Sequence, residues 1–177
     1  MQKWLWFLPF LFVQAALGQK MILEKSYVSF FSKAAIEDIK AENTESVSLF
    51  NISTNEIVFS IPIKDFKFDK ALMKEHFNEK YLESEKFPKA TFSGNVSGFS
   101  KEIKGDQSVI AKGKMTIHGV TNEIDVPGTM STEGEKATIK AVFKIKLADY
   151  NIKIPQLLWK NIAEQVEVKI EFFYKTQ

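Results

Sequence analysis

The stretch from Lys112 to Met130, KGKMTIHGVTNEIDVPGTM, constrains this chain more than any other. Met115 and Ile117 fall on one face of its first arm, with Lys114, Thr116 and His118 on the other. In the second arm Ile124 and Val126 oppose Glu123 and Asp125. A Gly-containing connection, Gly119-Val120-Thr121-Asn122, lies between them. Alternation at period two on both sides of a turn predicts a β-hairpin with one buried face.

The same period runs through much of the chain. Ile57, Phe59, Ile61 and Ile63 form one stripe, and Ala90, Phe92, Gly94 and Val96 another. Val109, Ala111 and Gly113 run in phase with Met115 and Ile117, while Ala137, Ile139, Ala141, Phe143, Ile145 and Leu147 face a row of lysines. Val166, Val168, Ile170, Phe172 and Tyr174 make the last stripe. Pro62 cannot donate a ladder hydrogen bond, which predicts an edge or a bulge there. Residues 19–55 are less regular. A strand is expected over 27–31 and another over 47–52, with 34–43 either weakly helical or a meandering edge.

Two segments break the alternation. Leu72, Met73, His76, Phe77 and Tyr81 recur at helical spacing, so an amphipathic helix is expected over about 70–83, capped by Asp69 and ended before Phe87-Pro88. Pro155 can open a short helical excursion near 155–160, anchored by Trp159. Seven or eight strands, each with one apolar face, must bury those faces together. A sandwich and a closed barrel both achieve this, and closure also removes exposed strand edges. An eight-stranded barrel is just wide enough to be filled by side chains or to hold one small ligand. The inward stripes include Gly94, Ala111, Gly113, Ala137 and Ala141, which predicts space inside.

The N-terminus reads as a separate element. Lys3 precedes an apolar run from Trp4 to Leu17, and Ala16-Leu17-Gly18 offers small residues for cleavage. Residues 1–18 are therefore expected to be a signal peptide, leaving residues 19–177 as one β-barrel domain. The run is shorter than the roughly 20 residues of a spanning helix, so no membrane segment is expected after cleavage. The chain has no Cys, which excludes disulfides, thiol ligands and a lipidated cysteine. An exported chain without cysteine suits a bacterial periplasm, where the sequons Asn51-Ile52-Ser53 and Asn95-Val96-Ser97 are chance matches. The net charge is only +2, with both signs interspersed, so nucleic acid is not an expected partner.

Glu85-Lys86-Phe87-Pro88-Lys89-Ala90-Thr91-Phe92, followed by Gly113-Lys114-Met115-Thr116-Ile117-His118-Gly119-Val120-Thr121, resembles the YceI-like family. Met115 replaces the family's usual Leu, and Asn122 its Lys. The resemblance covers roughly residues 57–174, including the helix from His76 to Glu85. It is weak over Phe30 to Asn55, and Ala148-Asp149-Tyr150-Asn151 stands where the family commonly has an arginine-aspartate-phenylalanine-glycine-type stretch. The resemblance implies a mainly β fold, an antiparallel eight-stranded lipocalin-like barrel, exported to the periplasm and holding a polyisoprenoid or lipid chain.

The residues offer little reactive chemistry. The chain has two His, His76 and His118, with no Cys and no clustered His/Asp pattern, so neither a metal nor a cofactor is expected. His76 belongs to the border of the helix stripe, and His118 to an exposed turn. No nucleophile elbow or phosphate loop occurs. A non-catalytic lipid-binding barrel, with a homodimer as an option, is the leading expectation. The inward residues Phe59, Ile61, Phe92, Val109, Met115, Ile117, Ile124, Val126, Ile139 and Phe143 are its candidate ligand contacts. Two other readings are a hydrolase or isomerase using His118 with Asp125 or Glu123, and an interaction module presenting an edge at Pro62.

Overall fold

The computed structural model describes residues 20–33, 38–154 and 163–176. Ten strands occur among them: β1 (Lys20–Ser32), β2 (Ile39–Asn43), β3 (Val47–Asn51), β4 (Glu56–Pro62), β5 (Lys67–Phe68), β6 (Lys89–Ser97), β7 (Gln107–Ile117), β8 (Val120–Glu133), β9 (Lys136–Lys146) and β10 (Gln165–Thr176). All pairings are antiparallel. The order β1-β3-β4-β6-β7-β8-β9-β10 closes on itself through β10 and β1, giving an eight-stranded barrel. The expected signal peptide and the expected excursion near 155–160 lie outside the described residues.

β2 and β3 are two halves of one strand. Both oppose β1 in a single register, from Ser32↔Ile39 through Val28↔Asn43 to Ile22↔Leu49 and Lys20↔Asn51. The strand 39–43, where helix or meandering edge was the choice from sequence, is therefore regular. The halves part at residues 44–46. The neighbouring strand breaks at the same level, where a 3₁₀ turn, Ile63–Asp65, separates β4 from β5. Below the break β5 pairs with β2, and β4 alone reaches β6. Pro62 stands at this break as the last residue of β4, paired with Lys89. It is thus neither on an edge strand nor a docking edge.

A fully buried asparagine organises the break. Asn43 Nδ2 donates to the Pro62 carbonyl at 2.8 Å, and its Oδ1 accepts from Glu45 N at 2.8 Å and Ser46 Oγ at 3.4 Å. These bonds satisfy backbone groups that the parted ladders release.

A helix, α1, occupies residues 71–81: one α segment, Ala71–His76, runs into a π-helical turn, Phe77–Tyr81. Its N-cap is Lys70 rather than the expected Asp69. Lys70 holds the extended φ/ψ of a cap and makes no side-chain cap bond, which leaves Asp69 one position too early. The helix ends on Glu83 at φ 43°, with Leu82 N donating to Phe77 O and Ser84 N to Asn78 O. No helix among the described residues is long and apolar enough to cross a membrane.

The β7–β8 connection is tighter than the sequence suggested. Ile117 pairs with Val120, leaving only His118 and Gly119 as the turn, at φ 50° and 74°. Positive φ at both positions is the requirement of a type I′ hairpin turn, and Val120 to Asn122 belong to β8. β8 and β9 pair only from Glu133↔Lys136 to Gly128↔Ala141. The next residue is Pro127, which has no amide hydrogen to carry the ladder on towards Val142.

Replacing Asn43 by Leu should strand the released backbone groups without opening a large cavity. We expect a loss of about 1–3 kcal/mol in urea unfolding, with the barrel retained. A change under about 0.5 kcal/mol would show that the break is held by something else.

Candidate functional site

The interior divides into a packed end and a hollow end. At the packed end Phe59 stacks on Phe92 (5.2 Å between centroids, 19° between planes) and meets Phe172 edge-on at 5.4 Å. Tyr174 is buried beside Phe172 and Phe50. Its hydroxyl lies 2.7 Å from Ser48 Oγ, which donates to the Val58 carbonyl at 2.8 Å, so Tyr174 supplies the proton between them. Burial drives the Tyr174 phenol well above its ordinary pKa, so it stays neutral. Gly94 and Gly113 face each other on β6 and β7. A Cβ on either would lie under 3 Å from both the opposing backbone and the Phe92 ring. These glycines therefore do not leave free volume, as small inward residues were expected to. They let β6 and β7 approach and let Phe92 fold over them.

The other end holds a cavity of about 380 Å³. An apolar cavity of roughly 150 Å³ already accommodates benzene, so this one has room for a longer chain. Its walls come from Val28 and Phe30 of β1, Ile61 of β4, Ala90 of β6, Met115 and Ile117 of β7, Phe143 and Ile145 of β9, and Val166, Val168 and Ile170 of β10. Leu72, Met73, His76, Phe77 and Tyr81 of α1 line it on one side. The helix sits where β5 fails to pair with β6. Phe30, Phe66, Phe68 and Phe77 form a ring cluster there, Phe30 stacking on Phe77 at 5.3 Å and Phe66 meeting Phe30 edge-on at 5.4 Å. The π turn widens the helix where Phe77 and Tyr81 meet the cavity, and such turns are frequent at functional sites.

Among the described residues polar groups on this wall are few: Ser29, Ser32, His76 and Tyr81. Burial raises the Tyr81 phenol, so it is neutral. Among the described residues no carboxylate or ammonium lines the cavity, and no group of three or more His, Cys, Asp or Glu is placed to hold a metal.

The structure spreads the ten candidate contacts over three regions. Ile61, Met115, Ile117 and Phe143 line the cavity. Phe59, Phe92, Val109 and Ile139 pack the hydrophobic core away from it. Ile124 and Val126 line a separate hollow in the barrel wall, together with Phe143. Period-two parity identifies which side chains face inward but not which end of the barrel they occupy. Cavity-lining residues on β1, β10 and α1 were not among the candidates, although the stripes of β10 and the helix were visible.

His118 is not an exposed turn residue. Its Nε2 lies 2.7 Å from Glu83 Oε2, its Nδ1 lies 3.2 Å from the Tyr150 carbonyl oxygen, and its ring meets Phe87 edge-on at 4.6 Å. The side chain is only 11% exposed. Two non-glycine residues with left-handed backbones, Glu83 and His118, are thus joined through their side chains, tying the end of α1 to the hairpin tip. Of the partners considered for a catalytic His118, Asp125 pairs with Lys112 at 2.8 Å.

A closed antiparallel barrel with an apolar chamber at one helix-covered end defines a lipocalin-like barrel. The chain belongs to the YceI-like domain family, whose model matches residues 20–173 and so includes the N-terminal strands where the motifs were faint. A polyisoprenoid-binding domain from Saccharophagus degradans, implicated in plant cell wall breakdown, superimposes with a TM-score of 0.76 at 17% identity, covering 89% of this chain and 98% of that one. BcnA of Burkholderia cenocepacia gives 0.71 at 18% identity, covering 84% and 95%. The Campylobacter jejuni YceI protein gives 0.55 at 13% identity, covering 100% and 99%. At these identities the likeness establishes the fold. No curated protein matches the sequence.

Removing the clamp in His118→Ala should cost about 1–2 kcal/mol and speed amide hydrogen exchange at residues 82–87. Unchanged exchange there would show that α1 is held without it.

Proposed function

We propose that this protein binds a long apolar isoprenoid or lipid chain in its barrel cavity, without catalysing a reaction, for storage, carriage or shielding in the periplasm. The observation that carries this reading is the cavity wall, which among the described residues is built mainly from aliphatic and aromatic side chains and carries no carboxylate or ammonium group. Membership of the YceI-like family and the polyisoprenoid-binding description of the Saccharophagus relative support it. An apolar wall of this kind can recognise a chain by burial alone. At about 0.8 kcal/mol per buried methylene, roughly ten such groups match the ~8 kcal/mol of a micromolar complex before the entropy of association is subtracted. Several isoprene units therefore suffice without a charged contact.

Organic extraction of the full chain expressed in a bacterium, followed by mass spectrometry, tests the binding. We expect near-stoichiometric apolar lipid from the parent and at least a roughly tenfold loss from Ala90→Phe, which places a ring in the cavity, with both proteins folded. Folded parent protein that yields no lipid would contradict the proposal. Export is tested on the same sample by fractionation and N-terminal sequencing. The purified periplasmic chain should begin at Gln19, and retention of an intact N-terminus in the cytoplasm would contradict export.

A further inference from the structure

His118 stands between two acceptors. Its Nε2 faces the Glu83 carboxylate at 2.7 Å, and its Nδ1 faces the Tyr150 carbonyl oxygen at 3.2 Å. A carbonyl and an ionised carboxylate only accept, so both bonds form when both ring nitrogens carry hydrogen, which is the imidazolium. The neutral ring carries one hydrogen. Whichever tautomer it adopts, a lone pair then faces either the carboxylate or the carbonyl.

The three segments that meet at His118 all reach the chamber. Leu82 precedes Glu83, Ile117 precedes His118, and Leu147 and Ile152 flank Tyr150; all four side chains line the cavity. The joint is compact. A Cβ on Gly119 would lie 2.5 Å from the Phe87 ring, which itself meets the imidazole edge-on. Each element also brings charged groups towards this place. The segment after α1 carries Glu85, paired with Lys64, and Lys86, whose ammonium lies 4.9 Å from the Phe87 ring centre. The 3₁₀ turn Leu147–Tyr150 carries Asp149, and the hairpin carries Lys114 opposite Glu123. Among the described residues Glu83 is the carboxylate bonded to the imidazole.

We propose that His118 is a proton-operated latch on the chamber, closed when the ring is doubly protonated and loosened when it is neutral. This rests on the apolar-chain reading of the cavity. Histidine is the side chain that changes charge between about pH 5 and pH 8. In acid the imidazolium donates both ways and holds the end of α1, the hairpin tip and the 3₁₀ turn together. As pH rises a ring proton passes to solvent and one of the two bonds is lost. Residues 82–87 then part from the hairpin more readily, and a bound chain exchanges faster.

The test loads delipidated full-length protein with pyrenyl-dodecane and follows its transfer to excess phosphatidylcholine vesicles, neither of which changes charge in this range. Release should be roughly threefold to tenfold faster at about pH 8 than at about pH 5.5, the worth of one hydrogen bond. Amide exchange at residues 82–87, corrected for its intrinsic pH dependence, should rise in the same proportion. Glu83→Gln should bring the release ratio close to one, because a carboxamide accepts from the imidazolium and donates to the neutral ring. Equal release by the parent at both pH values would overturn the latch. So would a ratio unchanged in Glu83→Gln, which would move the effect to another group such as His76. Parent protein that takes up no probe at either pH would instead overturn the cavity reading itself.

Discussion

A closed β-barrel satisfies its backbone groups by pairing each strand on both sides, and in this chain two neighbouring strands are interrupted at one level. Each interruption releases amides and carbonyls that must find new partners. In this chain Asn43 does that on one side of the barrel. Its buried carboxamide bonds to Pro62, Glu45 and Ser46 where β2 leaves β3 and β5 leaves β4. Because the two strands break at one level, the sheet swings away from β6 there. The helix of residues 71–81 then covers the opening, and the cavity follows from that geometry.

Aromatic side chains decide how far the hollow extends. Phe92 lies across Gly94 and Gly113, Phe59 stacks on it, and Phe172 closes against Phe59. That cluster plugs one end. At the other end Phe30, Phe66, Phe68 and Phe77 are gathered under the helix, where they border the cavity. One residue type thus does opposite work at the two ends. The difference lies in what stands opposite each ring, since glycine admits it to the axis and the π turn of the helix holds it at the rim.

Most of the fold was legible in the sequence because alternation reports burial directly. The stripes at 57–61, 90–96, 109–117, 137–145 and 166–174 became barrel strands, with Ile63 and Leu147 falling in the 3₁₀ turns just beyond them, and the helical spacing around Leu72 to Tyr81 became the covering helix. The site was legible in part. Parity put Met115, Phe92 and Val109 on the same side of the sheet, but it does not tell that Met115 lines the cavity while its cross-strand partner Phe92 turns over Gly94 and Gly113. Strand β3, expected over 47–52 and found over 47–51, has poor alternation because its pattern is inverted. Ser48 is buried to meet Tyr174 while Val47 and Leu49 are exposed, a pairing 126 residues apart that no local window contains. The same holds for Asn43, whose polar side chain reads as a surface residue until Pro62 is placed beside it. Pro127 was a readable sign, since a proline within an alternating strand announces a lost ladder bond.

The central claim is that one half of the interior is a chamber and the other half a plug. A crystal structure of protein purified without delipidation measures this directly. Continuous density for an apolar chain beside Ile61, Met115 and Phe143, with none between Phe59 and Phe92, is the predicted result. An interior with the cavity closed by side chains, or a chain threaded through the Phe59–Phe92 stack, would contradict it.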